Sequence, residues 1–222
     1  RWSLDIASLL VDMVFYASVP SNNRLIQEAK GRFWNGIVVS RAEAATYAAE
    51  ADCILIGPGM TRTAETTTVT EDLVRQFPAK KWVIDAGALQ MITPQLLSPQ
   101  MIITPHPREL AMVLAKRTGE SETELLVQIQ AAGSPQLPQW SAQLGGVTIL
   151  LKGHQDLVAT PEQVVTIDGG HPGMTKGGTG DVLAGLVAGL AATNTLWTAA
   201  VIGSVTNKQA GARLAATYGP FF

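Results

Sequence analysis

Charge is scarce in this sequence of 222 residues. Only 15% of the residues are charged, and 16 Lys and Arg against 18 Asp and Glu leave a formal net charge of -2. This composition excludes the strong basic field that duplex nucleic acid or an anionic membrane selects. We therefore expect no nucleic-acid partner. The tryptophans are too dispersed for a base-stacking platform and are interpreted as core or interface anchors: Trp2, Trp34, Trp82, Trp140 and Trp197.

Cysteine and histidine are also rare, at one and three residues. Cys53 has no partner for an internal disulfide, and it lies in the apolar run Cys53–Ile56, which is typical of a buried strand in a reducing, cytoplasmic compartment. We interpret it as a structural thiol. The sequence has no compact cluster of His, Cys and carboxylates, so we predict no protein-built metal cage and no zinc site.

One long stretch, residues 182–207, lacks Asp, Glu, Lys and Arg altogether. Its length would cross a bilayer, but the polar residues 193–195 divide it, so it predicts two helices packed inside a soluble domain and no membrane partner. We expect Gly185 and Gly189 to let one of these helices approach a neighbouring strand closely.

Short apolar runs alternate with helical patterns along the chain. This alternation predicts an α/β fold with a mostly parallel sheet covered by helices on both faces. The predicted strands are residues 13–19, 53–56, 82–85, 101–104 and 147–152. The predicted helices are residues 41–50, 71–77, 108–117, 122–132 and 181–192, with a last helix running from residue 196 towards 216.

Residues 157–159 and 164–167 predict an antiparallel hairpin that makes the sheet mixed. Hydrophobic residues make up 46% of the sequence, so apolar burial outweighs chain entropy and the chain is expected to fold. No internal repeat or low-complexity linker divides the chain. We therefore predict a single domain over residues 1–222.

The most informative stretch is residues 173–181, with the sequence GMTKGGTGD ahead of a predicted helix. Glycines before a helix let backbone N–H groups converge on an anion, and the helix dipole adds positive charge at the same place. Asp181 falls in the first helical turn, where a carboxylate can accept a proton from a hydroxyl while the amides hold a transferring phosphoryl group. The simpler alternative is that Asp181 caps the helix and the glycines only form a turn.

At this point the sequence resembles a known family. Its Gly-Gly-Thr-Gly-Asp element resembles the ribokinase-like superfamily, and residues 172–185 resemble the ADP- or ATP-dependent NAD(P)H-hydrate dehydratases. Further motifs of that family follow in order: Gly57-Pro58-Gly59, Asp85-Ala86, Thr104-Pro105-His106-Pro107 with Glu109, and Leu151-Lys152-Gly153. The resemblance covers nearly the whole chain and implies a ribokinase-like fold.

The resemblance implies removal of water from the ring of hydrated NADH or NADPH, driven by ADP or ATP with Mg²⁺ bound mainly through the nucleotide phosphates. Asp181 would be the catalytic base and a substrate contact. Gly59 and His106 match positions that contact the hydrated cofactor. The implied nucleotide-binding residues are Lys152, Gly153, His154, Gln155, Asp156, Gly178, Thr179 and Gly180.

Several of these residues have simpler interpretations that the sequence leaves open. Lys152 is alternatively a solvated lysine at a turn, and Gly59 only a turn former. An isolated histidine such as His106 is more often structural. Glu109 either takes a metal-water role or stabilises a helix start, and Asp85 either lines the strand edge or caps the next turn.

The sequence departs from the family pattern at three positions. Gly87 stands where a second acid is common, Arg108 where glycine is usual, and His171 where asparagine often precedes Pro-Gly-Met. Altered substrate contacts are therefore expected. The family's opening strand and glycine-rich turn are not found before Arg1, so we expect the domain to be N-terminally incomplete.

Two other functions fit the phosphate cradle. A ribokinase-like kinase of a vitamin precursor or sugar would use the same base to phosphorylate another alcohol, and a non-catalytic nucleotide-binding module would use the cradle alone. The choice between ADP and ATP depends on room beyond the β-phosphate. Apolar helical faces beyond those needed for a two-sided core would support a homo-oligomer.

Overall fold

Strands and helices alternate along the computed structural model, which describes residues 1–29, 35–132 and 134–219. The strands are β1 (Val14–Ala17), β2 (Gly36–Val39), β3 (Cys53–Ile56), β4 (Lys81–Ile84), β5 (Met101–Ile103), β6 (Thr148–Leu151), β7 (Asp156–Ala159) and β8 (Val164–Ile167). The helices are α1 (Trp2–Ala7), α2 (Pro20–Glu28), α3 (Ala44–Glu50), α4 (Ala64–Gln76), α5 (Ala86–Met91), α6 (Pro107–Thr118), α7 (Glu122–Ala132), α8 (Leu137–Gln143), α9 (Thr179–Thr193) and α10 (Leu196–Tyr218).

Six strands form the main sheet in the order β3-β4-β5-β6-β7-β8. The pairs from β3 to β6 are parallel, whereas β7 and β8 form an antiparallel hairpin at one side. The predicted α/β class with a mostly parallel, mixed sheet is therefore confirmed. Strands β1 and β2 pair with each other, in parallel, as a separate two-stranded sheet.

Alternation along the central strands divides the core into two layers. On β4, Trp82 and Ile84 face a cluster with residues from α4 to α8, while Val83 faces the opposite cluster with α9 and α10. All three side chains are fully buried. Successive side chains of a strand point to opposite faces, so helices on both faces account for strands that are apolar throughout.

The long uncharged stretch forms parts of two helices, α9 and α10, as predicted. Asn194 ends α9, and Thr195 caps α10 by accepting a hydrogen bond from Thr198 N at 3.1 Å. Among the described residues, no helix has both the length and the apolar composition to cross a membrane. The expected close approach of Gly185 to a strand is wrong, because its neighbour is helix α1: a Cβ on Gly185 would lie 2.3 Å from Ser3 O.

Some elements differ from those predicted, for identifiable local reasons. Strand β2 and helices α1, α2, α5 and α8 were not among the predicted elements. Helices α2 and α8 each carry a proline in the first turn, which a helix tolerates only there. Helix α4 begins at Ala64, whereas the predicted helix began at Glu71. The prediction started too late because the first half of α4 is a threonine-rich segment of low helix propensity, which tertiary packing stabilises.

The tryptophans and the cysteine differ in burial: Cys53 and Trp197 are partly buried, and Trp2 is 50% exposed. Trp82 and Trp140 are buried in the core, and burial raises the pKa of the Cys53 thiol to about 12, so this thiol is unreactive at neutral pH. Trp34 lies outside the described residues.

Candidate active site

The motifs meet at one edge of the main sheet. Strands β3, β4, β5 and β6 are parallel neighbours, so the residues that follow them emerge side by side. These are the turn after Ile56, then Asp85, then Thr104 with His106, then Lys152. Helix α9 packs against β3 and β4 and begins at the same edge. Ligands of open α/β sheets bind beyond the carboxyl ends of the strands, which makes this edge the candidate site.

A glycine-rich turn leads into α9, as predicted. Gly178 has φ of +93°, a left-handed conformation that favours glycine, and it precedes the first helical residue, Thr179. The Thr179 hydroxyl donates to Lys176 O at 2.6 Å and closes the turn. The indole of Trp2 lies where a side chain on Gly178 would be, with a ring atom 1.2 Å from an ideal Cβ. Helix α1 therefore contacts the turn through Trp2, which is 50% exposed.

Lys152 forms an ion pair with a buried carboxylate at this edge. Its Nζ donates to Asp85 Oδ1 at 2.9 Å, and Asp85 is 2% exposed. Asp85 precedes α5 but makes no side-chain capping bond, so of its two interpretations the structure favours the one that lines the strand edge. A Cβ on Gly180 would lie 3.7 Å from Lys152 Nζ, so the ammonium also faces the start of α9.

Asp181 lies in the first turn of α9, half-buried beside this pair. Burial raises the pKa of the Asp181 carboxyl, and the negative charge of Asp85 raises it further, against the opposing effect of Lys152. A carboxylate with a raised pKa is a stronger proton acceptor once it is ionised. The Ser3 hydroxyl donates to Asp181 O at 2.7 Å and fixes the backbone from which this side chain extends.

The turn after β3 offers open backbone. Gly59 is exposed with φ of +74°, and a Cβ there would meet no atom within 4 Å, so a ligand has room to approach it. Gly87 packs directly beneath this turn, since its Cβ would lie 2.1 Å from Met60 O. This contact explains the departure at position 87: no acid side chain fits there without moving the turn.

His106 and Glu109 form a capping box at the start of α6. The His106 imidazole accepts from Glu109 N at 3.3 Å, and Glu109 Oε2 accepts from His106 N at 3.0 Å. Gln90 donates to the other Glu109 oxygen at 2.7 Å, and Glu109 is 6% exposed. Both carboxylate oxygens thus have partners within the protein, which favours the helix-start role of Glu109. The His106 imidazole is exposed, and its Nε2 lies 3.5 Å from Glu109 Oε2.

The segment after β6 is divided between surface and core. Gly153, His154 and Gln155 are exposed at the site edge, whereas Asp156 is 3% exposed and points inward. Asp156 Oδ1 accepts from Gly153 N at 2.9 Å and Oδ2 accepts from Ser204 Oγ at 2.8 Å. The Asp156 carboxylate therefore holds the loop from inside and is not available to a nucleotide at the surface.

The remaining departures have small structural consequences. His171 accepts from Gly173 N at 3.0 Å and caps the short turn Pro172–Thr175, the role that an asparagine amide oxygen plays at a cap. Arg108 is exposed in the first turn of α6.

A cleft of about 400 Å³ lies at the opposite, amino edge of the sheet, between Lys81, Thr148, Pro161 and Trp197. None of the predicted site residues lines it. The chemistry-bearing residues converge at the carboxyl edge instead, so we place the candidate site there.

Comparison with known proteins identifies the family. Residues 7–221 match a family model described as NAD(P)H-hydrate dehydratase. The chain belongs to that family. Its sequence is 32% identical over 173 residues to the ADP-dependent (S)-NAD(P)H-hydrate dehydratase of Xanthomonas campestris pv. campestris, covering 76% of this chain and 55% of that protein.

Another relative of this dehydratase-family chain is a bifunctional NAD(P)H-hydrate repair enzyme of Pyrobaculum aerophilum. It is 34% identical over 177 residues, which are 79% of this chain and 34% of that enzyme. The matched region thus spans about a third to about half of the length of these two curated relatives.

Solved structures show the same fold. A ribokinase-like superfamily protein of Enterococcus faecalis superposes with a TM-score of 0.79 at 23% identity, covering 97% of this chain and 75% of that one. An ADP/ATP-dependent NAD(P)H-hydrate dehydratase of Bacillus subtilis, co-crystallised with ATP and Mg²⁺, has a TM-score of 0.69 at 22% identity, covering 98% and 76%. The dehydratase-family chain therefore has the ribokinase-like fold.

Three contributors to the site were not singled out from the sequence. Trp2 contacts the glycine-rich turn, Met60 packs against Gly87, and Lys208 contacts the loop after β6. All three act across long sequence separations, and no local pattern marks Trp2 or Met60. A lysine surrounded by apolar and small residues in α10 was the one available signal for Lys208.

Proposed function

We propose that this protein dehydrates hydrated NADH or NADPH at the expense of ADP or ATP, as a carbon–oxygen lyase of a single ribokinase-like domain over residues 1–222. The observation that supports it most directly is the placement of Asp181. Its carboxylate lies in the first turn of α9, behind the glycine-rich turn and beside Lys152. Family membership names the reaction class, and this geometry supplies a base next to a phosphate cradle.

The proposed reaction begins with proton transfer. The Asp181 carboxylate accepts the proton of the ring hydroxyl, and the hydroxyl oxygen attacks the terminal phosphoryl group of the nucleotide as the phosphoanhydride bond breaks. The ring then expels orthophosphate, with the ring nitrogen lone pair assisting, and a proton lost from the adjacent carbon restores the double bond. Phosphorylation is needed because hydroxide is a poor leaving group.

Backbone amides and Lys152 stabilise the charge that develops during transfer. The amides of Gly178, Thr179 and Gly180 stand at the N-terminus of α9, where donors and the helix dipole favour an anion. Lys152 supplies a positive charge whose position Asp85 fixes from the buried side. The open backbone at Gly59 and the exposed His106 form the proposed contacts for the hydrated cofactor.

The donor set at this edge fits Mg²⁺ that is held mainly by nucleotide phosphates. Among the described residues, no three His, Cys, Asp or Glu side chains gather at a metal-binding distance, and both Glu109 oxygens already accept hydrogen bonds. The carboxylates of Asp181 and Asp85 remain near the cradle, and Mg²⁺ ordinarily takes only one or two carboxylates beside phosphates and water. When bound, the ion would neutralise charge on the phosphates.

The decisive experiment incubates the protein with hydrated NADPH, Mg²⁺ and either ADP or ATP. We expect recovery of the absorbance of the reduced nicotinamide together with release of orthophosphate. Absence of recovery with both nucleotides would contradict the proposal. A stable phosphate ester of another alcohol, with no orthophosphate, would indicate a kinase, and nucleotide binding without any turnover would indicate a binding module.

A further inference from the structure

The loop that joins β6 to β7 is fixed from beneath by a buried lysine of α10. Lys208 is 6% exposed, and its Nζ donates to Gly153 O and His154 O, each at 2.7 Å. It also lies 3.2 Å from Asp156 Oδ1. An ammonium group has three donors, so these acceptors satisfy it completely.

The partner carboxylate is equally buried and equally satisfied. Asp156 accepts from Gly153 N and from the hydroxyl of Ser204, which is 0% exposed. Removing one member of such a pair leaves an uncompensated buried charge, so the pair is strongly constrained. Lys208, Asp156 and Ser204, which we call the anchor cluster, therefore determine the shape of a loop whose own residues are exposed.

The direction of the two carbonyl groups has a consequence for the loop surface. A trans peptide group directs its N–H opposite to its C=O, and the described residues contain no cis peptide bond. Lys208 draws the Gly153 and His154 carbonyls inward, so the N–H groups of His154 and Gln155 face outward. Within the described part of the chain, neither of these N–H groups makes a hydrogen bond. Consecutive outward N–H groups form a concavity for acceptor oxygens.

The same lysine also contacts the segment that leads to the glycine-rich turn. A Cβ on Gly170 would lie 2.8 Å from Lys208 Cδ, and one turn further along α10 a Cβ on Gly211 would lie 2.1 Å from Met174 Sδ. Helix α10 thus supports both the loop after β6 and the approach to the phosphate cradle.

We propose that Lys208 is a positioning residue for the nucleotide, which orients the His154 and Gln155 N–H groups towards acceptor oxygens of the nucleotide. This inference rests on the proposed function, because it takes the loop after β6 as part of the nucleotide site. Lys208 does not touch the nucleotide itself. It acts through the two peptide groups, with Asp156 and Ser204 holding the ammonium in place.

The test is nucleotide affinity in Lys208→Met, measured by titration calorimetry with ADP and with ATP. Loss of the two charge-assisted hydrogen bonds frees both peptide groups, and we expect the Kd to rise about tenfold. In turnover assays the KM for the nucleotide should rise by a similar factor while kcat at saturation stays within about twofold. If Lys208 were merely structural, its replacement would lower stability without raising the KM for the nucleotide relative to kcat.

Lys81→Met is the matched control. Lys81 Nζ also donates to two backbone carbonyls, Ala191 O at 2.9 Å and Asn194 O at 2.8 Å, but at the opposite edge of the sheet. We expect Lys81→Met to lower stability and leave the nucleotide Kd unchanged.

If Lys208→Met does not fold, the double variant Asp156→Asn/Lys208→Met, which removes both charges, is measured instead. A milder pair is Ser204→Ala against Ser141→Ala, since each removes a buried hydroxyl, and only the first should weaken nucleotide binding.

The inference would be overturned if the folded variants bound ADP and ATP with the wild-type Kd. These variants are Lys208→Met, Asp156→Asn/Lys208→Met and Ser204→Ala. A protein that binds nucleotide but does not act on hydrated NADPH would refute the proposed function, while the ratio of Kd values would still decide the role of Lys208. A wild-type protein that binds neither ADP nor ATP would contradict both.

Discussion

Lys152 and Asp85, separated by 67 residues in sequence, form an ion pair of 2.9 Å between the ends of β6 and β4. Strand β5 lies between these two strands, so the pair spans the centre of the carboxyl edge. Asp85 raises the pKa of Asp181, and Lys152 opposes that effect. This pair thus holds a cation at the carboxyl edge and modifies the basicity of the proposed base, whose pKa burial raises most.

Asp85→Asn should move the acid limb of the pH–activity profile to lower pH. Burial and the charge of Asp85 both raise the pKa of Asp181 above its ordinary value of 3.8, and activity requires the ionised form. Removing the charge of Asp85, and releasing Lys152 towards Asp181, both lower that pKa. The measurement is kcat/KM against pH. Asp72→Asn, an equal charge change on the exposed face of α4, should leave the limb in place.

Lys152→Met should destabilise the protein more than the double variant Asp85→Asn/Lys152→Met. The single change leaves a carboxylate that is 2% exposed without its cation, and we expect a loss of about 3 kcal/mol in the free energy of unfolding. The double variant removes that unpaired charge. Denaturant unfolding of the wild type, the single variant and the double variant measures their free energies of unfolding. Equal losses of stability in the single and double variants would contradict the pairing.

Gly87→Ala should destabilise the turn that carries Gly59, a proposed contact for the hydrated cofactor. A Cβ at position 87 would lie 2.1 Å from Met60 O, so backbone must move, at a cost of about 1 to 3 kcal/mol. We expect a raised KM for hydrated NADPH with the nucleotide Kd unchanged. If Gly87→Ala had the stability of the wild type and its KM for hydrated NADPH, the turn would not pack on Gly87.

Glu71→Gln should weaken the protein at neutral pH and lose this effect in acid. Burial raises the pKa of Glu71, but hydrogen bonds with Thr93 and Arg75 outweigh it and hold the pKa below the ordinary 4.5. The ionised carboxylate therefore contributes stability above pH 4.5 that is lost as the pH falls through its lowered pKa.

The measurement for Glu71 is the free energy of unfolding of both proteins between pH 7 and pH 3. We expect a difference of about 2 kcal/mol at neutral pH that shrinks in acid. Glu65→Gln is the control, because the side chain of Glu65 is 69% exposed and its pairing with Arg41 contributes little. A difference that does not vary with pH would contradict the role of the ionised Glu71.

The main sheet could be predicted because its strands have a strong local signal. Residues 53–56 form one strand with the predicted bounds, and the hairpin of β7 and β8 was also predicted. Helix α5 was not predicted, because its start at Asp85-Ala86-Gly87 has the composition of a turn. The separation of β1 and β2 into their own sheet depends on tertiary pairing and has no local signature.

The candidate site was predictable where residue type and order coincide, as at Asp181 and Lys152. It was not predictable where a side chain turns away from the edge. Asp156 follows Lys152 in the implied nucleotide segment, yet its carboxylate is buried against Ser204 and Lys208, which lie about fifty residues further along. Such contacts depend on how α10 packs beneath the loop, and the sequence pattern of α10 predicts only a helix.

The most direct test of the account is Asp181→Asn with hydrated NADPH, Mg²⁺ and ADP or ATP, following reduced-nicotinamide absorbance and orthophosphate together. The amide cannot accept the hydroxyl proton, so we expect both signals to slow by about a hundredfold or more while nucleotide affinity is retained. Recovery of both signals at the wild-type rate would contradict Asp181 as the base.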